Sequence, residues 1–210
     1  MRLMRVAVLV SGNGTNLQAL LDAERKGENP DGRVTLVVSS SDGAYALERA
    51  RRSGIPALTI DKKAAGGGRA FEEQLWQAVQ EQGVDLIVLA GFLHILTPEF
   101  IRRANVPMIN IHPALLPAFG GKGLYGIKVH QAVLEAGAAV TGATVHYVNE
   151  IPDGGQIILQ KELPVLPGDT PELLQQRVME QAEWALLPQA VAQLCTELRK
   201  KEESRTDAVS

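Results

Sequence analysis

Two uninterrupted apolar runs limit the fold more than any other feature: Val6-Ala7-Val8-Leu9-Val10 near the start and Leu86-Ile87-Val88-Leu89-Ala90 after Asp85. A strand apolar at every position has no face to offer water, so it belongs in a sheet covered on both sides. Between and around these runs the period changes. Leu17, Leu20 and Leu21 recur at helical spacing after Ser11-Gly12, with Thr15 and Gln18 placed as a capping box. Residues 34–38 read as a second strand, 45–52 as a short helix ending near Gly54, and Ile55-Pro56-Ala57-Leu58 as a third strand or edge segment. Phe71, Leu75, Ala78 and Val79 mark a further amphipathic helix closed by Gly83. Alternating strands and helices predict an α/β fold: a doubly wound, mostly parallel sheet with helices on both faces.

After Asn110 the texture changes. Residues 140–148 and 156–165 read as two longer strands, an antiparallel pair at the C-terminal edge of the sheet. A last helix starts at Asp169-Thr170-Pro171-Glu172, where Pro171 suits the first helical position. Pro188 is expected to kink or break it before it resumes to about residue 200, leaving a frayed polar tail over 201–210. At 210 residues, against roughly 150 per domain, the reading is one domain over 1–200. It divides into an N-terminal half of about 1–100 and a C-terminal half of about 101–200. The only stretch that reads as a mobile loop is 64–68, rich in glycine.

Composition removes several classes of function. With 24 acidic against 21 basic side chains and a net charge of −3, the chain lacks the basic excess of a nucleic-acid binder. Its single cysteine, Cys195, allows no intramolecular disulfide and falls on a helical stripe with Val191, Leu194 and Leu198, so it reads as core. The apolar run at 6–10 is too short for a signal segment or a membrane span. A soluble cytoplasmic protein is expected, with no membrane partner.

Ser11-Gly12-Asn13-Gly14-Thr15-Asn16 lies between a strand and a helix start, where free first-turn amides and the positive end of the helix dipole favour an anion. Leu17 occupies the place of the third glycine of a dinucleotide fingerprint, and the Gly-Lys-Ser/Thr ending of a P-loop is absent. A single phosphate monoester suits the loop better than a dinucleotide or ATP, although a polar turn without a ligand would carry the same residues.

Met108-Ile109-Asn110-Ile111-His112-Pro113 reads as a short strand that turns Asn110 and His112 to one face. Two polar side chains on a buried strand need partners or a ligand. With Asp153, in the turn Ile151-Pro152-Asp153-Gly154-Gly155, they supply an amide, an imidazole and a carboxylate. Such a set can transfer an acyl group without a nucleophile: the amide orients it, the imidazolium stabilises the oxyanion, and the carboxylate raises the imidazole pKa and relays protons. His94, His130 and His146 read as non-catalytic, with His146 packing or orienting a neighbour. No histidine pair has zinc spacing and Cys195 has no companion, so no metal is expected. A G-x-S-x-G elbow is absent.

Taken in order, Ser11 to Gln18, Ala90-Gly91-Phe92, Asn110-Ile111-His112-Pro113-Ala114-Leu115-Leu116-Pro117 and Asp153-Gly154-Gly155 resemble the phosphoribosylglycinamide formyltransferases, from about residue 6 to 188. The resemblance implies the formyltransferase fold. It also implies formyl transfer from 10-formyltetrahydrofolate to the amino group of glycinamide ribonucleotide in purine biosynthesis, giving tetrahydrofolate and no role for a metal. By position, Asn110, His112 and Asp153 match the family's catalytic trio; Gly14, Thr15 and Asn16 match its phosphate segment, and Glu183 the acid on the ribose. Leu93, His94, Ile95 and Leu96, with Asn149, Glu150, Ile151, Pro152 and Asp153, match the folate pocket, which also borders Asn110. Arg69 matches an arginine that approaches the folate. Where the family usually has Arg and His, this chain has His94 and Trp184, and Gly121-Lys122-Gly123-Leu124-Tyr125-Gly126 is a longer form of its loop. The expected partners are the two small molecules, for a monomer or homodimer.

Two relatives share a similar Asn-Ile-His site. Methionyl-tRNA formyltransferase would call for a further C-terminal domain and a basic surface, and formyltetrahydrofolate hydrolase for an N-terminal regulatory domain and no phosphate loop. A catalytically dead sensor would call for an altered trio.

Overall fold

The computed structural model describes residues 2–207. In chain order it contains β1 (Met4–Val10), α1 (Thr15–Arg25), β2 (Gly32–Ser39), α2 (Tyr45–Arg52), β3 (Ala57–Thr59), α3 (Gly68–Glu81), β4 (Leu86–Leu89), α4 (Pro98–Ala104), β5 (Met108–His112), α5 (Ile127–Glu135), β6 (Val140–Tyr147), β7 (Ile157–Pro164), α6 (Pro171–Val178), a π-helical turn (Met179–Glu183) and α7 (Trp184–Asp207). The strands form one sheet in the order β3-β2-β1-β4-β5-β6-β7. β1 to β5 run parallel, and β6 and β7 add as the antiparallel pair that their sequences predict.

The all-apolar run of β1 works as a two-sided wall. Val6, Val8 and Val10 pack with Leu17 and Leu21 of α1 and Leu187 and Leu194 of α7. Ala7 and Leu9 point the other way, against Phe71 and Leu75 of α3 and Phe100 of α4. Each fully buried valine or leucine contributes roughly 1.5–3 kcal/mol relative to exposure, so covering both faces is what makes the run favourable. The strand order reverses between β1 and β4, the switch point where open α/β sheets place their ligand crevice.

Several local expectations are corrected. The capping box is not formed: the cap position is Gly14, in the left-handed region at φ 68°, and no side chain caps α1. A Cβ on Gly14 would stand 2.5 Å from that of Ala46, so the turn is set by close approach to α2 and Gln18 turns elsewhere. Helix α4, read as no element from the sequence, carries legible signals: Pro98 at its first turn and the Thr97 hydroxyl accepting the Phe100 N–H at 3.2 Å. Pro188 does not end its helix. The irregularity falls one turn earlier, in the π turn, and α7 continues through Pro188 to Asp207. The expected frayed tail is therefore helical over 201–207, and 208–210 lie outside the described residues. The glycine-rich stretch at 64–68 is entered through a turn in which Asp61 Oδ1 accepts the N–H groups of Lys63 and Ala64 at 2.9 and 2.8 Å, and this bears on its shape and not on its mobility. No helix among the described residues is long and apolar enough to cross a membrane.

Candidate active site

Strand β5 turns Asn110 and His112 to the same face, as period two requires, and antiparallel pairing with β6 then decides what stands opposite. Asn110 faces His146 and His112 faces Thr144. The His146 ring donates from Nδ1 to the Tyr147 carbonyl at 2.9 Å, which leaves Nε2 as an acceptor for Asn110 Nδ2 at 3.1 Å. The tautomer follows from these bonds. The same Asn110 nitrogen reaches Asp153 Oδ1 at a looser 3.4 Å.

Asp153 is delivered by a tight turn. Its φ is 56°, and the Gly154 N–H closes onto Ile151 O at 2.9 Å. Gly155 follows because a Cβ there would lie 1.7 Å from Tyr147 O, so the Asp-Gly-Gly motif is a steric requirement of bringing this turn against the end of β6. Asp153 Oδ2 accepts the Gly121 N–H at 2.9 Å and lies 3.6 Å from His112 Nδ1. His112 Nε2 donates to the Phe119 carbonyl at 2.8 Å. With Nε2 so occupied, Nδ1 alone is free to exchange a proton.

Burial holds His112 below the usual imidazole range, against the opposing pull of the Asp153 charge and the Phe119 bond. Burial alone would raise Asp153. The His146 and His112 rings and the Gly121 amide outweigh it, and the carboxyl sits below its ordinary range. At neutral pH the site therefore holds a neutral imidazole beside a carboxylate.

These groups line a cavity of about 510 Å³ that runs from β5 past the end of β4 to the first turn of α1. The predicted folate residues Leu93, His94, Ile95 and Leu96 form one wall and Asn149, Glu150, Ile151 and Pro152 another. Leu93, Ile95 and Ile151 are 60–66% exposed at its mouth, an apolar rim suited to a flat aromatic ligand. His94 packs its ring 5.1 Å from Phe71 and 5.6 Å from Phe92, and burial, then Lys62, lower its pKa. Asn16 and Glu183 lie at the other end of the cavity, joined by a 2.6 Å bond from Asn16 Nδ2 to Glu183 Oε2. Burial raises the Glu183 carboxyl, partly offset by Asn16, and the buried Asn16 Oδ1 has no hydrogen-bond partner. An orphan acceptor beside a buried carboxyl suits a ligand that brings hydroxyl donors.

Other expected residues fall outside this lining. Gly14 heads α1, and Thr15 faces a separate concavity while its hydroxyl contacts Met179 Sδ at 3.4 Å. Arg69 is exposed in the first turn of α3, away from the cavity. The cavity also takes in residues given no substrate contact from the sequence: His146, read as packing or orienting a neighbour and here bonded to Asn110, His130 of α5, the 121–126 loop, and Gln175 with Met179 of the last helical stretch. In a regular α-helix residues eight apart drift by roughly 80°. The wider π turn takes up that drift, so Gln175, Met179 and Glu183 reach one wall.

His130 is fully buried with both ring nitrogens unpartnered, and burial pushes its pKa down to about 4, with His112 adding to the shift. Its unfolded value is near 6.5, so the unfolded chain binds the extra proton first as pH falls. This histidine costs no stability above about pH 6.5 and progressively more toward pH 4. Denaturant midpoints measured across that range should fall less in His130→Leu than in the unsubstituted protein; parallel curves would refute the assignment.

The Formyl transferase family model matches residues 4–191. The chain is 40% identical over 184 residues to the phosphoribosylglycinamide formyltransferase of Haemophilus influenzae, covering 88% of this chain and 84% of that protein. It is 43% identical over 187 residues to the trifunctional purine biosynthetic protein adenosine-3 of Bos taurus, covering 89% of this chain but 18% of that protein. The chain thus spans less than a fifth of such trifunctional relatives. Glycinamide ribonucleotide transformylase 1 of Symbiobacterium toebii superposes with a TM-score of 0.86 at 42% identity, covering 93% of this chain and 89% of that one.

Proposed function

The chain belongs to the formyl transferase family, and from that membership we propose that it moves the formyl group of 10-formyltetrahydrofolate onto the amino group of glycinamide ribonucleotide, a step of purine biosynthesis. The observation that carries the reading is His112, neutral and buried, with Nε2 tied to Phe119 and Nδ1 open beside the Asp153 carboxylate. The folate supplies an activated formyl group on a nitrogen leaving group.

The apolar rim at Leu93, Ile95 and Ile151 would hold the folate ring system. The head of α1 at Gly14, Thr15 and Asn16 would take the phosphate of the second substrate, and Asn16 with Glu183 its ribose hydroxyls. Asn110 Nδ2 holds two bonds in the free site, and the 3.4 Å bond to Asp153 is the weaker. That N–H is the one to turn onto the formyl oxygen as charge develops there, while His146 keeps the amide oriented. His112 Nδ1 then accepts the proton that the attacking amine sheds, becomes an imidazolium paired with Asp153, and returns the proton to the departing nitrogen. The amine loses one proton and the folate nitrogen gains one, so the transfer is balanced.

The geometry adjusts one expectation: His112 begins as a neutral acceptor and is an imidazolium only during transfer, because burial outweighs Asp153. The test is folate absorbance during incubation with 10-formyltetrahydrofolate, with and without glycinamide ribonucleotide. Deformylation that requires the ribonucleotide is expected. Deformylation without it would replace the transferase by a hydrolase, and no turnover in either mixture would overturn the enzymatic reading.

A further inference from the structure

We infer that Arg49, outside the catalytic cavity, locks the Asn13–Gly14 peptide in the orientation that turns its amide toward the substrate phosphate. The inference rests on the ribonucleotide reaction proposed above and concerns how the loop at the head of α1 is held ready. Arg49 Nε donates to the Asn13 carbonyl at 2.8 Å and Nη1 to Gln18 Oε1 at 2.9 Å. The guanidinium lies 4.9 Å from the centre of the Tyr45 ring, and Gln18 Nε2 is itself fixed on Asp22 Oδ1 at 2.9 Å. One residue earlier in the loop, the Ala46 N–H holds the Gly12 carbonyl at 3.2 Å. Helix α2 therefore grips two successive loop carbonyls.

A trans peptide is planar, with its N–H directed opposite to its C=O. Holding Gly12 O and Asn13 O against α2 directs the N–H groups of Asn13 and Gly14 away from α2. The first helical bond of α1 runs from Gln18 N–H to Gly14 O, so the amides before it have no helical partner and remain available to an anion. The danger is a peptide flip. Gly14 sits at φ 68°, and glycine crosses between left- and right-handed backbone regions at little steric cost. A flipped Asn13–Gly14 peptide would set a carbonyl oxygen, with its partial negative charge, where the phosphate must lie. Arg49 lines the concavity that Thr15 faces and not the catalytic cavity, and its Nε and Nη1 are already committed to Asn13 O and Gln18 Oε1, so it acts through the loop as a positioning residue.

The test compares Arg49→Met and Arg49→Lys with the unsubstituted enzyme in the ribonucleotide-dependent assay. Hydrogen bonds from a charged donor support about a 10- to 100-fold effect. Arg49→Met should raise the KM for the ribonucleotide by at least about tenfold while the KM for the folate stays within about twofold. Arg49→Lys keeps the charge but cannot grip both Asn13 O and Gln18 Oε1, so its recovery should be partial. Full recovery in Arg49→Lys would overturn the inference in favour of simple charge attraction. An unchanged ribonucleotide KM in either variant would overturn it too, including the case where Arg49→Met fails to fold and Arg49→Lys is normal. Absence of ribonucleotide-dependent turnover in the unsubstituted enzyme is a separate result that removes the reaction and this inference together.

Discussion

Replacing His112 with alanine is expected to lower turnover by about 10²–10⁴-fold, the range for loss of a positioned proton-transfer group. The size follows from the scarcity of substitutes. His112 Nε2 is committed to Phe119, and the other imidazole beside Asp153, His146 with Nε2 3.5 Å from Oδ1, already engages both nitrogens, on Tyr147 and Asn110. The end of the cavity proposed for the ribonucleotide, at Asn16 and Glu183, is built from α1 and the π turn, away from His112 on β5. Steady-state turnover together with calorimetric binding of the ribonucleotide separates the two. Lost turnover with retained binding is the expected pair; normal turnover would remove His112 from the reaction.

Asp153→Asn is expected to cost about 10²-fold or more, and its pH profile identifies the cause. His112 must be neutral to accept a proton, so activity rises with pH through its pKa, which burial has already placed below the ordinary imidazole value. The Asp153 charge is the principal influence opposing that depression. Without it the pKa falls further and the acid limb of kcat/KM moves to lower pH, while the maximum rate drops because the transient imidazolium has lost its counter-charge. The new amide also keeps a single acceptor oxygen, so it can serve the Asn110 N–H or the Gly121 N–H but not both. An acid limb that stays in place would show that Asp153 does not control the protonation of His112.

Much of this molecule is written locally. The β5 strand, Met108–His112, is legible because period two over five residues aligns Asn110 and His112 whatever surrounds them. The apolar runs of β1 and β4 likewise announce a sheet covered on both faces. What failed to read depends on neighbours distant in sequence. Thr15 and Gln18 have capping-box identities, yet Gly14 packed on Ala46 takes the cap position and Arg49 claims the Gln18 side chain. An orienting part for His146 could be read, but its partner Asn110 could not, because it follows from the register of β6 on β5, and a slip of one residue would turn His146 to the other face. Arg69 shows the converse: its match in sequence does not bring its side chain to the cavity.

The π turn at Met179–Glu183 has a consequence for how this chain can change over generations. Adding or removing one residue inside an ordinary α-helix rotates everything beyond it by about 100°, which would scramble the buried face of α7 against β1. A π turn holds one more residue than the α turn it replaces while leaving the flanking faces in register. Glu180 and Gln181 occupy its exposed arc. A deletion there can be absorbed by conversion to an α turn, so the loss of one codon that would break the packing of α1 can be tolerated beside Glu183, the acid proposed for the ribose.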